Sequence, residues 1–302
     1  MSGGHGASGT AELTEFLDTL LLVPHAVRDF EVPRAQAETA YLLPAGVLEA
    51  MAAAGLAADR PSSPDGPCFD HFDLLNVSLE LRVANPWAFG PGAWGRALRA
   101  SVRRPSTRVE VEPIPECSGA EHRGGDCSLT VRLPEGWRPY TADSPPVLRR
   151  ELRTSWPAPD AGTSALLEEF GRLRFVRLPA LVGNDPEFIR RTGVADCNGA
   201  ARLMAEEGAR RGLNCRLAHG VILSPPFSIA HYWTEVETDG IWVPHDPLIV
   251  NAMVRWGILD GAEWDIYRST GAILVRLTDK PGALALDHGE PVGVSFATRL
   301  PT

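Results

Sequence analysis

The sequence predicts a fold of the α+β class, a mixture of helices and antiparallel strands, and three observations support this. Apolar residues recur at helical spacing between Cys197 and Gly212. Two short runs of aromatic and β-branched residues, 231–236 and 241–243, flank Asp239-Gly240, a dipeptide typical of two-residue hairpin loops. Three earlier stretches alternate apolar and polar residues as half-buried strands do: 75–83, 107–111 and 128–133.

The first of three predicted parts, residues 1–60, is expected to be helical. Amphipathic helices are predicted at 11–22 and 43–56. Pro44 is compatible with the second helix because the first helical turn leaves its N–H groups without intrahelical partners.

The rest of the chain is predicted to form a β-rich accessory domain, 61–150, and a catalytic domain, 151–302. A proline-rich segment, 145–160, marks the boundary between them. The catalytic domain has further expected elements: a helix at 166–173, a segment at 181–191 that leads into Cys197, and a late strand at 272–277.

Composition and charge exclude several classes of function. With 302 residues, 44% of them hydrophobic, the chain can bury a large core. Its formal net charge of −9 argues against a nucleic-acid partner, since phosphate binding needs a basic surface. No stretch has the pattern of a signal peptide or the length of a membrane span, so we expect a cytoplasmic protein without a membrane partner.

The five cysteines agree with a reducing compartment, because their number is odd and no Cys-x-x-Cys pair occurs. Cys117 and Cys127 could bridge a glycine-rich loop, but such bonds are rare in the cytoplasm.

Cys197 begins the helical pattern, and Asp196 before it has the character of an N-cap. In the first turn of a helix, unbonded N–H groups and the helix dipole favour a thiolate. The carboxylate of Asp196 opposes this effect, because a neighbouring negative charge raises the pKa of a thiol. The alternative is that Cys197 is simply a small buried hydrophobic residue.

The hairpin predicts a second pair of reactive side chains. If Thr238 faces Ile241, then His231 and Asp246 become diagonal neighbours on one face, ~7–8 Å apart at the backbone, with Trp233 beside them. That distance allows a hydrogen bond between imidazole and carboxylate. A three-residue loop with a glycine bulge would instead turn Asp246 to the other face.

These residues also form an ordered series of motifs. In chain order they are Gly193-x-x-x-Cys197, Arg216-x-x-x-Gly220, His231-x-Trp233-x-Glu235-Val236 and Trp242-Val-Pro-x-Asp246-Pro247. The series resembles the core of the transglutaminase-like superfamily over residues 193–248. The resemblance implies a papain-like core, in which the helix that begins with the nucleophile packs on an antiparallel sheet. It further implies that Cys197 is the nucleophile, His231 the general base and acid, and Asp246 the residue that orients His231. The chain departs from the pattern at Asp196 and at His245.

The expected chemistry is acyl transfer through a thioester acyl-enzyme, without a cofactor or metal. We expect an acyltransferase that forms amide bonds. Its partners would be an acyl donor, either a peptide amide or an acyl thioester on a carrier protein or coenzyme, and an amine acceptor. The alternatives are a cysteine peptidase or amidase and a non-catalytic binding module. Besides the backbone N–H of Cys197, three residues are candidates for contacting the substrate or its oxyanion: Trp233, Asn184 and Trp156.

Two metal sites are conceivable and disfavoured. Asp70-His71-Phe72-Asp73 offers two carboxylates and an imidazole, but adjacent residues rarely converge on one ion, and a solvated turn is preferred. His219, His231 and His245 with Cys215 fit no usual zinc spacing.

Overall fold

The computed structural model describes residues 5–59, 66–83, 85, 89–116 and 128–301. Cys117 and Cys127, for which a bridge was considered, lie outside the described residues. The chain forms two compact units, each built from two segments: Met1–Phe89 with Leu173–Gly199, and Gly90–Arg172 with Ala200–Thr302. These borders differ from the predicted ones at residues 60 and 150, and the division into three sequence domains stays a prediction.

Helices and strands both contribute extensively to the described residues, so the fold is α+β as predicted. The helices are, in chain order, α1 (His5–Leu21), α2 (Arg34–Thr39), α3 (Ala45–Ala53), α4 (His71–Glu80), α5 (Phe89–Ser101), α6 (Ala161–Gly171), α7 (Ala180–Gly183), α8 (Pro186–Thr192), α9 (Cys197–Arg210) and α10 (Pro247–Arg255). The strands are β1 (Val32–Pro33), β2 (Ala57–Ala58), β3 (Cys68–Phe69), β4 (Ser106–Pro115), β5 (Leu129–Leu133), β6 (Gly136–Pro139), β7 (Leu148–Arg153), β8 (Arg174–Phe175), β9 (Val194–Ala195), β10 (Cys215–Ile222), β11 (Phe227–Thr238), β12 (Ile241–His245), β13 (Leu274–Thr278), β14 (Ala285–Asp287), β15 (Glu290–Pro291) and β16 (Val294–Arg299). None of the helices described in the structure combines the length and apolar character that a membrane crossing requires.

The first unit is mainly helical, and α1 and α3 confirm the helices predicted at 11–22 and 43–56. Helix α4 corrects the prediction of a strand at 75–83. All residues of α4 from Asp73 to Leu79 are buried, so the polar residues at alternate positions do not form a solvent face. Asn76 instead donates to the Arg177 carbonyl at 2.9 Å and accepts from its N–H at 2.7 Å. The buried position of Asn76 is therefore explained by a tertiary contact and not by a half-buried strand.

The Asp70–Asp73 segment is not the solvated turn that was expected. The buried Asp70 caps α4, accepting hydrogen bonds from the N–H groups of Phe72 and Asp73. Asp73, also buried, pairs with Arg28 Nε at 2.7 Å. Burial raises the pKa of the Asp73 carboxyl to about 6, although Arg28 acts in the opposite direction. Both carboxylates thus have structural partners within the helical unit.

The second unit is organised around an antiparallel sheet. Among the described residues its strand order is β13-β10-β11-β16-β4-β7, with β12 also paired to β11, and a second sheet has the order β15-β14-β5-β6. Strands β4, β5 and β13 confirm the strands predicted at 107–111, 128–133 and 272–277, and α6 confirms the helix predicted at 166–173. Strand β4 pairs with β16 and β5 with β14, so strands of the predicted accessory and catalytic segments share sheets.

Candidate functional site

The hairpin of β11 and β12 has the predicted register. Thr238 pairs with Ile241 and Val236 with Val243, so the alternative register of a three-residue loop does not occur. Asp239 and Gly240 both have positive φ, 52° and 75°, as a two-residue loop of the type I′ class requires. The twist of this loop matches that of the strands, which fixes the side chains that share each face.

His231 on β11 and Asp246 after β12 form a buried pair. His231 Nε2 lies 2.6 Å from Asp246 Oδ2, and because an ionised carboxylate only accepts, the ring nitrogen donates. The second carboxylate oxygen accepts the N–H of Ile249 at 3.0 Å and so caps α10. Each oxygen has its own partner, and the residue exposures are only 3% and 6%. The predicted contact is present, and Asp246 is fixed from two directions.

Two indole rings lie near the imidazole of His231. The centroid of Trp233 is 6.4 Å from it, with nearly parallel rings, and that of Trp94 is 6.3 Å from it. Trp233 Nε1 lies 3.4 Å from Glu235 Oε1, and the other oxygen of Glu235 accepts from Arg216 Nε at 2.7 Å. The N–H of Trp233 is therefore directed towards a carboxylate of its own strand.

Trp94 on α5 is a neighbour of His231 that the sequence did not indicate. It is almost completely buried, and its Nε1 has no hydrogen-bond partner among the described residues. A buried donor left unbonded costs about 1–3 kcal/mol, so such a group calls for a specific explanation. Its position beside His231 makes Trp94 a candidate donor to a bound substrate. No local pattern connects a tryptophan on α5 with a histidine so distant in sequence.

Cys197 is the first residue of α9, and its thiol is free and half-buried. Asp196 caps this helix as predicted, because its Oδ1 accepts the N–H of Gly199 at 2.8 Å. A Cβ at Gly199 would lie 2.4 Å from the carbonyl oxygen of Gly183, so only glycine allows α7 to approach the first turn of α9.

The other end of α9 is closed by a glycine motif. Gly212 has a φ of 80°, its N–H donates to Ala209, and the N–H of Leu213 donates to Gly208 at 3.0 Å. This pair of bonds is the Schellman motif, which ends helices at a glycine.

The two upstream candidates for oxyanion donors have different surroundings. In the first unit, Asn184 accepts a hydrogen bond from Asn198 at 2.8 Å and donates to the Ala180 carbonyl, joining α7 to the first turn of α9. In the second unit, Trp156 packs so closely on Gly271 that a Cβ there would lie 2.5 Å from its ring. The buried Nε1 of Trp156 has no partner within the described chain.

The sequence candidates are therefore distributed over both units. His231, Asp246 and Trp233 lie together in the second unit, which also contains Trp156. Cys197 and Asn184 belong to the first unit.

Two further histidines, His219 and His245, are also buried. Burial lowers the pKa of His245 to about 4, and neither ring nitrogen has a partner among the described residues. His219 stacks on Tyr232 at 3.8 Å, and burial, followed by the charge of His231, lowers its pKa to about 4. Since Tyr232 and His231 are consecutive strand residues, His219 is on the opposite face of the sheet from His231. The described residues contain no group of three or more ligands arranged for a metal ion.

Comparison with known proteins gave no match, either to a model of a protein family or to a curated protein.

Proposed function

We propose that the protein is a cysteine acyltransferase with a papain-like core of the transglutaminase-like type. Cys197 is the nucleophile, His231 the general base and acid, and Asp246 the residue that orients His231. The observation that supports this most directly is the buried hydrogen bond of 2.6 Å between His231 and Asp246. In a nucleophilic triad, a carboxylate holds the histidine in this way.

The geometry of the pair defines what the imidazole can do. Because Nε2 donates to Asp246, the neutral ring has its proton on Nε2, and proton exchange with a nucleophile falls to Nδ1. When Nδ1 takes a proton, the ring becomes an imidazolium whose charge the buried carboxylate stabilises. Asp246 stays in place during this change because Ile249 binds its other oxygen.

The position of Cys197 suits a nucleophile. As the first residue of α9 it lies where the helix dipole and unbonded N–H groups stabilise a thiolate. As the nucleophile of this triad, Cys197 should have a reactivity that depends on His231.

The proposed reaction has two steps, acylation of Cys197 and transfer of the acyl group to an amine. The thiolate of Cys197 attacks the acyl carbon, the tetrahedral oxyanion collapses, and the leaving thiol or amine takes its proton from His231. An amine next attacks the thioester of the acyl-enzyme, His231 removes a proton from it, and the amide leaves as the thiolate is restored. We place a thioester donor and an amine acceptor in these steps. Water in place of the amine would give a hydrolase.

Thiol reactivity tests the triad. Alkylation of Cys197 by iodoacetamide should be fast below pH 7 in the wild type and slow in His231→Ala, with each site followed by peptide mass spectrometry. Cys215 is the internal control, because burial raises its pKa to about 11 and it should react slowly in both proteins. Equal, slow alkylation of Cys197 in both proteins would favour a non-catalytic binding module.

Turnover tests the reaction class. The protein is incubated with acyl thioesters and amines, and products are identified by mass spectrometry with Cys197→Ala as the blank. Amides formed only by the wild type support the proposal. Hydrolysis across the whole panel, or cleavage of peptides without an added amine, supports the peptidase or amidase.

A further inference from the structure

Strand β11 presents large apolar side chains next to the proposed base. Phe227, Ile229 and His231 occupy alternate positions and therefore share one face of the strand. Phe227 is 61% exposed and Ile229 is 39% exposed, whereas His231 is buried. Their positions on the same strand make a line of exposed hydrocarbon that ends at the imidazole.

This line is part of a firmly bonded region of the second unit. Ser228, between the two exposed residues, is completely buried, and its hydroxyl is bonded both to the Ser224 N–H and to Thr298 Oγ1, each at 2.8 Å. Phe227 pairs with Ala297 of β16, and Ile229 pairs with Ile222 of β10. The exposed side chains thus belong to paired strands and not to an unpaired loop.

The cross-strand neighbours extend the apolar character of this face. Side chains directly opposite each other in an antiparallel pair share a face, so Ala297 lies beside Phe227 and Ile222 beside Ile229. All four are apolar, but only Phe227 and Ile229 are exposed, because Ile222 is completely buried and Ala297 is half-buried. Two large exposed apolar side chains on one face of a strand make a candidate binding surface, because exposed hydrocarbon is otherwise unfavourable.

We propose that Phe227 and Ile229 bind the hydrocarbon chain of the acyl group, so that the substrate is an apolar acyl donor such as a fatty or arylalkyl thioester. This inference rests on the proposed function. At ~3.4 Å per residue, the strip from His231 to Phe227 is ~13–14 Å long, which defines the length of chain that it can cover. The acyl group is the occupant because it stays bound through both half-reactions, with its reacting carbon at the end where His231 lies.

A series of straight-chain acyl thioesters, from acetyl to dodecanoyl, with one fixed amine tests the inference. In the wild type, kcat/KM should rise with chain length by up to ~4-fold for each methylene buried, until the strip is filled. Phe227→Ser and Ile229→Ser should flatten this rise while leaving kcat/KM for the acetyl donor within about twofold. Val102→Ser, which removes a 55% exposed apolar side chain elsewhere in the same unit, is the matched control and should keep the wild-type slope.

The outcomes distinguish failure of the acyl-chain site from failure of the proposed acyltransferase function. Turnover that is independent of chain length, or a slope that survives both serine substitutions, overturns the acyl-chain site and leaves the proposed function intact. A change from oligomer to monomer in Phe227→Ser, with the slope unchanged, would identify the strip as a self-association surface. If no thioester turns over, N-alkyl iodoacetamides of increasing length provide a second readout, because alkylation of Cys197 should accelerate with length only if the strip binds the chain. Failure of turnover together with slow alkylation of Cys197 overturns both.

Discussion

Replacing Asp246 with asparagine should abolish most activity without unfolding the protein. Asparagine can still cap α10 through its side-chain oxygen, which in Asp246 accepts the N–H of Ile249. The atom facing His231 Nε2 then becomes an NH₂ group, which only donates. Nε2 must therefore accept, the ring proton moves to Nδ1, and the imidazole loses its ability to take a proton from Cys197.

The magnitude follows from this change of tautomer. In a triad, the exchange of aspartate for asparagine lowers turnover by on the order of 10⁴, which corresponds to about 5.5 kcal/mol of transition-state stabilisation. Stability should change by less than ~1 kcal/mol, because asparagine and aspartate are equally good caps. Asp246→Ala removes the cap, which costs ~1 kcal/mol, and leaves the buried N–H of His231 without an acceptor, which costs ~1–3 kcal/mol more.

The assays are kcat/KM with an acyl thioester, the pH profile of Cys197 alkylation, and urea unfolding. Asp160→Asn is the matched control, because Asp160 caps α6 in the same way, accepting the N–H of Thr163 at 2.7 Å, and should change neither activity nor stability. If Asp246→Asn keeps activity within about tenfold of the wild type, or keeps fast alkylation of Cys197 below pH 7, the assigned role of Asp246 is wrong.

Three further predictions concern stability. His219 and His245 have pKa values of about 4 in the folded protein and 6.5 in the unfolded chain, so unfolding takes up protons between these pH values. The free energy of unfolding should therefore fall by roughly 3 kcal/mol for each histidine as the pH is lowered from 6.5 to 4. Arg28→Met should lower the free energy of unfolding by ~3–5 kcal/mol at pH 8, because it leaves the buried Asp73 carboxylate uncompensated, and by less at pH 5, where that carboxyl is protonated. Gly199→Ala should cost ~1–3 kcal/mol, since the added methyl group meets the backbone of α7.

Each prediction has a matched control in urea unfolding. His245→Phe should remove about half of the histidine-dependent loss of stability between pH 6.5 and 4, and an unchanged pH dependence would contradict the assigned pKa. Arg149→Ala breaks an exposed ion pair with Glu110 and should cost less than ~1 kcal/mol. Gly46→Ala in α3 meets no atom within 4 Å and should stabilise the protein by up to ~1 kcal/mol. Equal effects of the two glycine substitutions would show that the close approach at Gly199 is unimportant.

The parts of the site that could be predicted from sequence are those determined by local chemistry. Asp239 and Gly240 adopt the positive φ that their hairpin needs, and this sets the register that brings Asp246 to His231. Asp196 and Gly212 mark the ends of α9 through bonds to residues a few positions away. Short-range signals of this kind do not depend on the rest of the fold.

The parts that could not be predicted depend on tertiary structure. Helix α4 contains a buried polar residue, Asn76, because Asn76 bonds to the backbone of Arg177, which is far along the chain. Trp94 reaches His231 from α5, and nothing in the sequence around it shows this neighbour. Where a polar residue finds its partner across the fold, periodicity gives the wrong element.

The double role of Asp246 has a consequence for hydrogen exchange. The carboxylate that orients His231 also binds the amide proton of Ile249, so opening the first turn of α10 and releasing the imidazole break bonds to the same side chain. The exchange rate of that single amide with deuterated solvent therefore measures how often the carboxylate is in place. It reports on the readiness of the site in the absence of any substrate.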